Sequence, residues 1–257
     1  MIDLTVHPQQ LERAVQRAKE NRIVIPTFAQ MRDPSRIPEV IKKQLKTVGL
    51  WDVNPLNLFR ITWHNEPTMQ GGGFGNVNFI ELPSALTGVK ARILVLCGKW
   101  FPTGCHKVGA SFGCLAPRLV TGQFDPTYNK AVWPSTGNYC RGGAYNSKLL
   151  GCESVAILPA EMSKERFEWL SKIAGEVIAT PGCESNVKEI FDKTWELRRT
   201  RKDVVIFNQF EEMGNVLWHY QVTGKAIADA YESIKTGKTR FAGACFTSGS
   251  ALSLIHI

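Results

Sequence analysis

The sequence predicts a layered α/β fold, with parallel strands joined by crossover helices. From residue 90 onward, short apolar runs alternate with runs of helical spacing, the pattern of successive βαβ units. The apolar runs are rich in Val and Ile, as strands buried on both faces require. Glycines and small polar residues fall where the helical patterns stop and start.

Before residue 60 the pattern is less regular. Leu11–Ala18 has helical spacing and good helix formers, and Ile37–Val48 suggests a second helix after a turn rich in Pro and Asp. Residues 1–60 are read as an N-terminal helical extension. Gly71–Gly75 follows no clear strand and opens no clear helix, so it reads as a flexible loop rather than a phosphate cradle. The predicted strands are Ala91–Cys97, Lys130–Trp133, Ser154–Leu158, Glu176–Ala179, Val204–Phe207 and Phe241–Phe246. The predicted helices are Val108–Val120, Tyr139–Leu150, Lys164–Ala174, Asn186–Arg199 and Gly214–Ile234. Pro117 is expected to kink or divide the first of them. Gly151 and Gly175 stand where helix ends favour glycine, and Ser163 and Ser185 where helix starts favour a cap.

Composition excludes several classes. Hydrophobic residues make up 44% and charged residues 21% of the 257 positions, an ordinary balance for a soluble globular protein. No apolar run approaches the roughly 18 residues that span a bilayer, and Met1–Leu4 lacks the basic-then-apolar start of a signal peptide. A cytoplasmic location without membrane attachment is the expectation. The seven cysteines are scattered, odd in number and free of any C-x-x-C pair, which argues against a disulfide framework or a structural metal site. Most are expected to be small buried residues, with Cys105 and Cys140, beside candidate functional loops, as exceptions. The net charge is +8 and its densest run is Arg198–Lys202. That run closes a helical pattern, where cations favour the negative end of the dipole. No aromatic-interleaved basic stripe accompanies it, so no nucleic-acid partner is expected; an anionic cofactor or substrate suits the charge.

Four stretches fall at predicted strand ends. Pro102-Thr103-Gly104-Cys105-His106-Lys107 places a lysine at a strand–loop–helix mouth, a position suited to holding an aldehyde cofactor as a Schiff base. Ser135-Thr136-Gly137-Asn138 offers hydroxyls, an amide and backbone N–H groups to a carboxylate at a helix start. Asn208-Gln209-Phe210 closes another strand. Thr247-Ser248-Gly249-Ser250 closes the last one with donors that can wrap a phosphate.

In this order the stretches resemble the fold-type II pyridoxal-phosphate enzymes, the tryptophan synthase β-like superfamily that includes cysteine synthase. The resemblance covers roughly residues 80 to 251 and includes His219 and Thr223-Gly224 after Gln209-Phe210. It implies that Lys107 is the catalytic lysine and binds pyridoxal 5'-phosphate, that Asn138 contacts the cofactor ring, and that Thr247, Ser248, Gly249 and Ser250 anchor its phosphate. It implies that Ser135, Thr136, Gly137 and Gln209 hold an amino-acid substrate. The implied activity is β-elimination or β-replacement through an aminoacrylate, as in cysteine synthase. Threonine synthase, dehydratase and thiolase β-subunit activities are the alternatives within the family; a cofactor-free α/β binding pseudo-enzyme is the alternative outside it. His106 before the lysine resembles tryptophan synthase β, but Ser135–Asn138 lacks the acidic residue that enzyme carries there. His106 is equally suited to approach the phosphate or to pack beside it.

The resemblance further implies two lobes of open parallel sheet flanked by helices, and a homodimer at full length. Residues 61–110 and 214–251 would belong to a large cofactor-binding domain and 111–213 to a small α/β domain. Family members continue well beyond the phosphate loop, so the large domain is expected to be incomplete here. Residues 252–257, Leu252–Ile257, resemble a translated sequencing adapter and are read as a non-native tail on a truncated reading frame.

Overall fold

The computed structural model describes residues 3–67, 72–183 and 185–246. Helix α1 (Pro8–Glu20) starts with proline in its first turn and ends with Arg17 and Lys19, each suited to its end of the helix dipole. Helix α2 (Phe28–Arg32) is nucleated by a capping box between Thr27 and Gln30. Helix α3 (Glu39–Leu45) buries Ile41 and Leu45 and is shorter than the expected 37–48 helix because Pro38 caps its start. A 3-10 stretch, Pro55–Arg60, follows. Tyr145 later pins this region: its hydroxyl donates to the Asp52 carbonyl at 2.5 Å and accepts from Asn57 Nδ2 at 3.1 Å.

Strand β1 (Phe79–Leu82), helix α4 (Ser84–Thr87) and strand β2 (Ile93–Leu96) come next, and β1 pairs antiparallel with β2. The predicted 91–97 strand therefore exists, but in a two-stranded sheet of its own. Its partner β1 is short and half exposed, so no alternation marked it in the sequence.

From Lys107 the chain takes up the expected alternation: α5 (Lys107–Thr121), β3 (Lys130–Pro134), α6 (Asn138–Leu149), β4 (Glu153–Pro159), α7 (Lys164–Ile173), β5 (Glu176–Thr180), α8 (Val187–Thr200) and β6 (Val204–Ile206). The strands form one parallel sheet in the order β5-β4-β3-β6. Side chains alternate across it. Ala131, Trp133, Ala156 and Leu158 face the large core shared with α5 and α6. Val132, Val155 and Ile157 face a second cluster with Ile190 and Leu197 of α8. This period-two split makes three layers from strands that read as continuously apolar. Helices α9 (Met213–Trp218) and α10 (Gly224–Ile234) complete the fold, joined by a π-helical turn at His219–Thr223.

Several local expectations are corrected. Pro117 lies within α5 without dividing it. The carbonyl it leaves without an N–H partner, that of Gly113, is the one against which Gly214 of α9 packs. Residues 241–246 form no strand, because no strand among the described residues lies beside them to share a ladder. Asn186 rather than Ser185 precedes α8, and Ser163 precedes α7 without a side-chain capping bond. Gly151 does take the left-handed conformation after α6, at φ 69°. Arg201, expected among solvated charges, pairs with Glu176 and Asp203. Cys114, Cys140 and Cys152 are buried, whereas Cys97, Cys105 and Cys183 are half-buried and Cys245 is exposed.

Helix α5 is the centre of the packing. A Cβ at Gly113 would stand 2.3 Å from the Gly214 carbonyl, and a Cβ at Gly214 would stand 2.2 Å from the Gly113 carbonyl. The two backbones therefore touch, with nothing flexible between them to yield. Gly113→Ala is expected to destabilise the chain by about 3 kcal/mol, the upper range for overpacking, measured as a lowered urea midpoint.

Candidate active site

The approach to Lys107 is built from unusual backbone. Thr103 and Gly104 take left-handed φ values of 66° and 69°. A β-branched residue in that region costs roughly 1–2 kcal/mol, so the surrounding packing must impose the conformation. Thr103 is buried between Phe101 and the start of α5, and a Cβ at Gly104 would lie 3.3 Å from the Trp51 ring. The doubled left-handed step turns the chain so that His106 precedes α5 and Lys107 opens it.

A buried polar network fixes the first turn of α5. The Asn146 amide donates to the Val108 carbonyl at 2.6 Å and to Ser111 Oγ at 2.9 Å. Ser111 Oγ lies within donating distance of the carbonyls of Lys107 and Val108, at 3.0 and 3.1 Å. Gly142 brings α6 onto the same place: a Cβ there would stand 2.8 Å from Val108 Cα and 3.1 Å from the Lys107 carbonyl carbon. Asn138 lies one turn upstream of Gly142. The Lys107 loop and the Ser135–Asn138 loop, apart in sequence, are thereby brought together.

Beside Lys107 lies an aromatic and imidazole cluster. His106 stacks on Trp63 with centroids 5.8 Å apart and meets His219 edge-on at 5.6 Å. Trp63 Nε1 donates to Thr223 Oγ1 at 3.0 Å, and the same oxygen lies 3.0 Å from His219 Nδ1. The tautomer that completes this network has the Thr223 hydroxyl donating to Nδ1 and the ring proton on Nε2. His219 Nε2 is buried without a hydrogen-bond partner among the described residues. Burial, then the nearby Lys107 charge, lowers the His106 pKa to about 4. Burial, then His106 and Lys107, lowers that of His219 to about 2. Both rings are neutral at neutral pH. Burial also lowers the pKa of the Lys107 ammonium, with Cys105 and Cys114 acting in the opposite direction. An amine shifted this way keeps a larger unprotonated, nucleophilic fraction.

The second loop leaves the carboxyl end of β3. Ser135 is buried, its N–H donates to the Ile157 carbonyl at 3.1 Å, and its Oγ accepts from the Gly137 N–H at 3.2 Å. Thr136 and Gly137 are half-buried, and Asn138 is exposed as the first residue of α6. Strand β6 lies beside β3, so the loop carrying Gln209 leaves the same edge. Gln209 is half-buried and its carbonyl accepts from the Asn215 amide at 3.1 Å. Thr247, Ser248, Gly249 and Ser250 lie outside the described residues, as does the 252–257 tail.

One correction concerns reactivity. Cys140 is fully buried in α6 and burial pushes its thiol up to about 12, so it is a packing residue. His106 packs between Trp63 and His219, and the phosphate loop that would decide between its two readings lies outside the described residues. Sequence reasoning missed Trp63, which sits in an irregular segment where no period marks an inward face. It also missed Arg166, whose Nη1 donates to the Thr136 carbonyl at 3.2 Å; on α7 it reads as one more solvent-facing cation.

No family model matches the chain. It is 26% identical to a cystathionine beta-synthase of Saccharomyces cerevisiae over 156 residues, 60% of this chain and 31% of that protein. It is 28% identical to a probable cysteine synthase of Bacillus subtilis over 149 residues, 58% of this chain and 47% of that protein. The matches thus span about a third to a half of these relatives. Among solved structures, a hydrogen sulfide-producing enzyme from Fusobacterium nucleatum superposes with a TM-score of 0.54 at 20% identity, covering 67% of this chain and 52% of that one. The parallel sheet flanked by helices is therefore a shared fold, and the likeness to cysteine synthase read from the motif order is borne out among the chain's relatives. Among the described residues no helix is long and apolar enough to cross a membrane.

The neutral imidazoles give stability a definite pH dependence. Their folded pKa values lie below the unfolded value of about 6.5, so the unfolded chain takes up protons first as pH falls. Stability is fully present above about pH 6.5 and is lost as pH drops toward 4, at up to about 1.4 kcal/mol per pH unit for each imidazole. Urea midpoints between pH 6.5 and 4.5 are expected to fall accordingly, and His219→Gln to shallow that slope by one imidazole's share.

Proposed function

We propose that this chain belongs to a pyridoxal-phosphate-dependent lyase or transferase that exchanges or eliminates the β-substituent of a small amino acid, in the manner of a cysteine synthase. The observation that carries the reading is the half-buried Lys107 at the start of α5, whose backbone Gly142 of α6 touches one turn beyond the Ser135–Asn138 loop. The relatives named above point the same way, since their names concern cystathionine, cysteine and hydrogen sulfide.

The donor set fits the cofactor. Lys107 supplies an amine with a lowered pKa for its aldehyde, and Asn138, exposed at the start of α6, supplies an amide for its ring. His219, whose Nε2 is buried without a hydrogen-bond partner among the described residues, packs edge-on against His106. Bound there, pyridoxal phosphate supplies the electron sink for breaking bonds at the substrate's Cα and Cβ. The chain's own residues do the rest. Lys107 Nζ, freed when substrate enters, accepts the Cα proton. Ser135, Thr136 and the N–H groups around Gly137 hold the α-carboxylate, and Gln209 from the neighbouring strand end is a second contact. Thr247 to Ser250 anchor the phosphate in this reading.

The reading extends to organisation. Residues 61–110 and 214–251 contribute to a large cofactor domain and 111–213 form a small one, with 1–60 an N-terminal helical extension. In this reading the protein is a cytoplasmic homodimer acting on a small amino acid.

Incubation with pyridoxal phosphate followed by borohydride reduction is expected to fix one cofactor to the peptide containing Lys107, with a new absorbance band before reduction. Lys107→Ala should lose both signals and lower turnover at least about a hundredfold. An unchanged spectrum in that variant overturns the lysine assignment.

A further inference from the structure

The Ser135–Asn138 loop has a neighbour that the reading above does not use. Arg141, in the first turn of α6, lies against two indole rings, its Cζ 5.7 Å from the Trp51 centroid and 5.4 Å from that of Trp169. The indoles meet each other edge-on at 6.2 Å and 88°. Two walls fix the guanidinium plane and leave its N–H edge as the group with something to bind. Arg166 stands alongside, its Nη1 donating to the Thr136 carbonyl and lying 3.3 Å from where a Cβ on Gly137 would be.

The two cations are not neutralised by an ion pair. Neither forms one among the described residues, and Arg141 makes no side-chain hydrogen bond there. The Nε of each is buried without a partner. Burial first, and then the Arg166 charge, disfavours the charged form of Arg141; Glu165, Cys105 and Cys140 act in its favour. A purely structural arginine pair would be expected to satisfy its donors and carry an acid between its charges. Trp51 also packs on Gly104, so one indole joins Arg141 to the Lys107 loop while Arg166 bonds the Ser135–Asn138 loop.

We propose that Arg141 and Arg166, walled by Trp51 and Trp169, form a subsite for an oxyanion on the side chain of the amino-acid substrate, either a carboxylate or a phosphate. The proposal rests on the reading that the Ser135–Asn138 loop holds the α-carboxylate. It makes the protein selective for amino acids with a second negative charge, and gives the N-terminal extension, through Trp51, a part in that selection.

The test is calorimetric titration of the full chain with serine, aspartate and O-phosphoserine, with inorganic phosphate alone as a fourth probe. Aspartate or O-phosphoserine should bind about ten- to a hundredfold more tightly than serine, the range for hydrogen bonds to charged groups. The stronger of the two identifies the oxyanion. Arg141→Gln should remove that preference and leave serine affinity unchanged, with Arg141→Lys restoring part of it. Arg166→Gln is the second variant, and far-ultraviolet circular dichroism establishes that each is folded. Equal affinity for the three amino acids, no binding of any, or a preference surviving in both glutamine variants overturns the proposal. Borohydride trapping on Lys107 in the same preparations separates the two readings. A trapped lysine with no preference overturns the subsite and leaves the cofactor assignment. A preference without trapping overturns the cofactor assignment and supports the subsite.

Discussion

Direct backbone contact between α5 and its neighbours is the constraint on which the rest of the structure depends. Gly113 meets Gly214 of α9, Gly142 of α6 meets Val108, and Gly109 faces the Trp218 ring at a distance that admits no side chain. Helices this close have little freedom to slide, because each contact is rigid on both sides. The first turn of α5 is consequently held in place by two helices at once, and Lys107 is its first residue. The network of Asn146, Ser111 and the Val108 carbonyl then fixes direction where the glycines fix distance. A site built on such an element is more precise than one built on a loop alone.

Electrostatics at the site follow from that packing. Burial that serves the core also strips solvent from Lys107, His106 and His219. Burial shifts each group toward its neutral form, and the two imidazoles, with pKa values of about 4 and about 2, carry no charge at neutral pH to repel the Lys107 ammonium. The same closeness leaves His219 Nε2 without a partner among the described residues, an arrangement that a folded core tolerates at a cost and that a binding site can use. Thr103 in its left-handed conformation is a second local cost at the same place.

Much of this was legible in the sequence, for identifiable reasons. The strands around 130 and 154 are buried on both faces and those around 176 and 204 flank them as apolar edges, so all four read as apolar runs, and the intervening helices carry enough periodicity to be bounded within a residue or two. Lys107 and Ser135–Asn138 stood out because they sit at junctions between such elements. What was missed lacks periodicity. Strand β1 is short and half exposed, and the 241–246 run has strand composition but no neighbour to pair with. Trp63 and Trp51 come from irregular segments whose spacing says nothing about direction, and Arg141, on the predicted α6, reads as one more helix cation until its two indole neighbours are seen. Pro117 misled because the helix rule concerns an unserved carbonyl, and here a glycine on another helix covers it.

The phenolic oxygen of Tyr145 is a small feature with a large reach. It joins Asp52 and Asn57 to α6, and Trp51, the neighbour of Asp52, rests on Gly104 and Arg141. A single hydroxyl thus works as a rivet between a peripheral strap and the helix that carries the carboxylate loop. The strap formed by residues 49–57 is thereby tied to the mouth of the site directly, with no strand of the sheet in the connection.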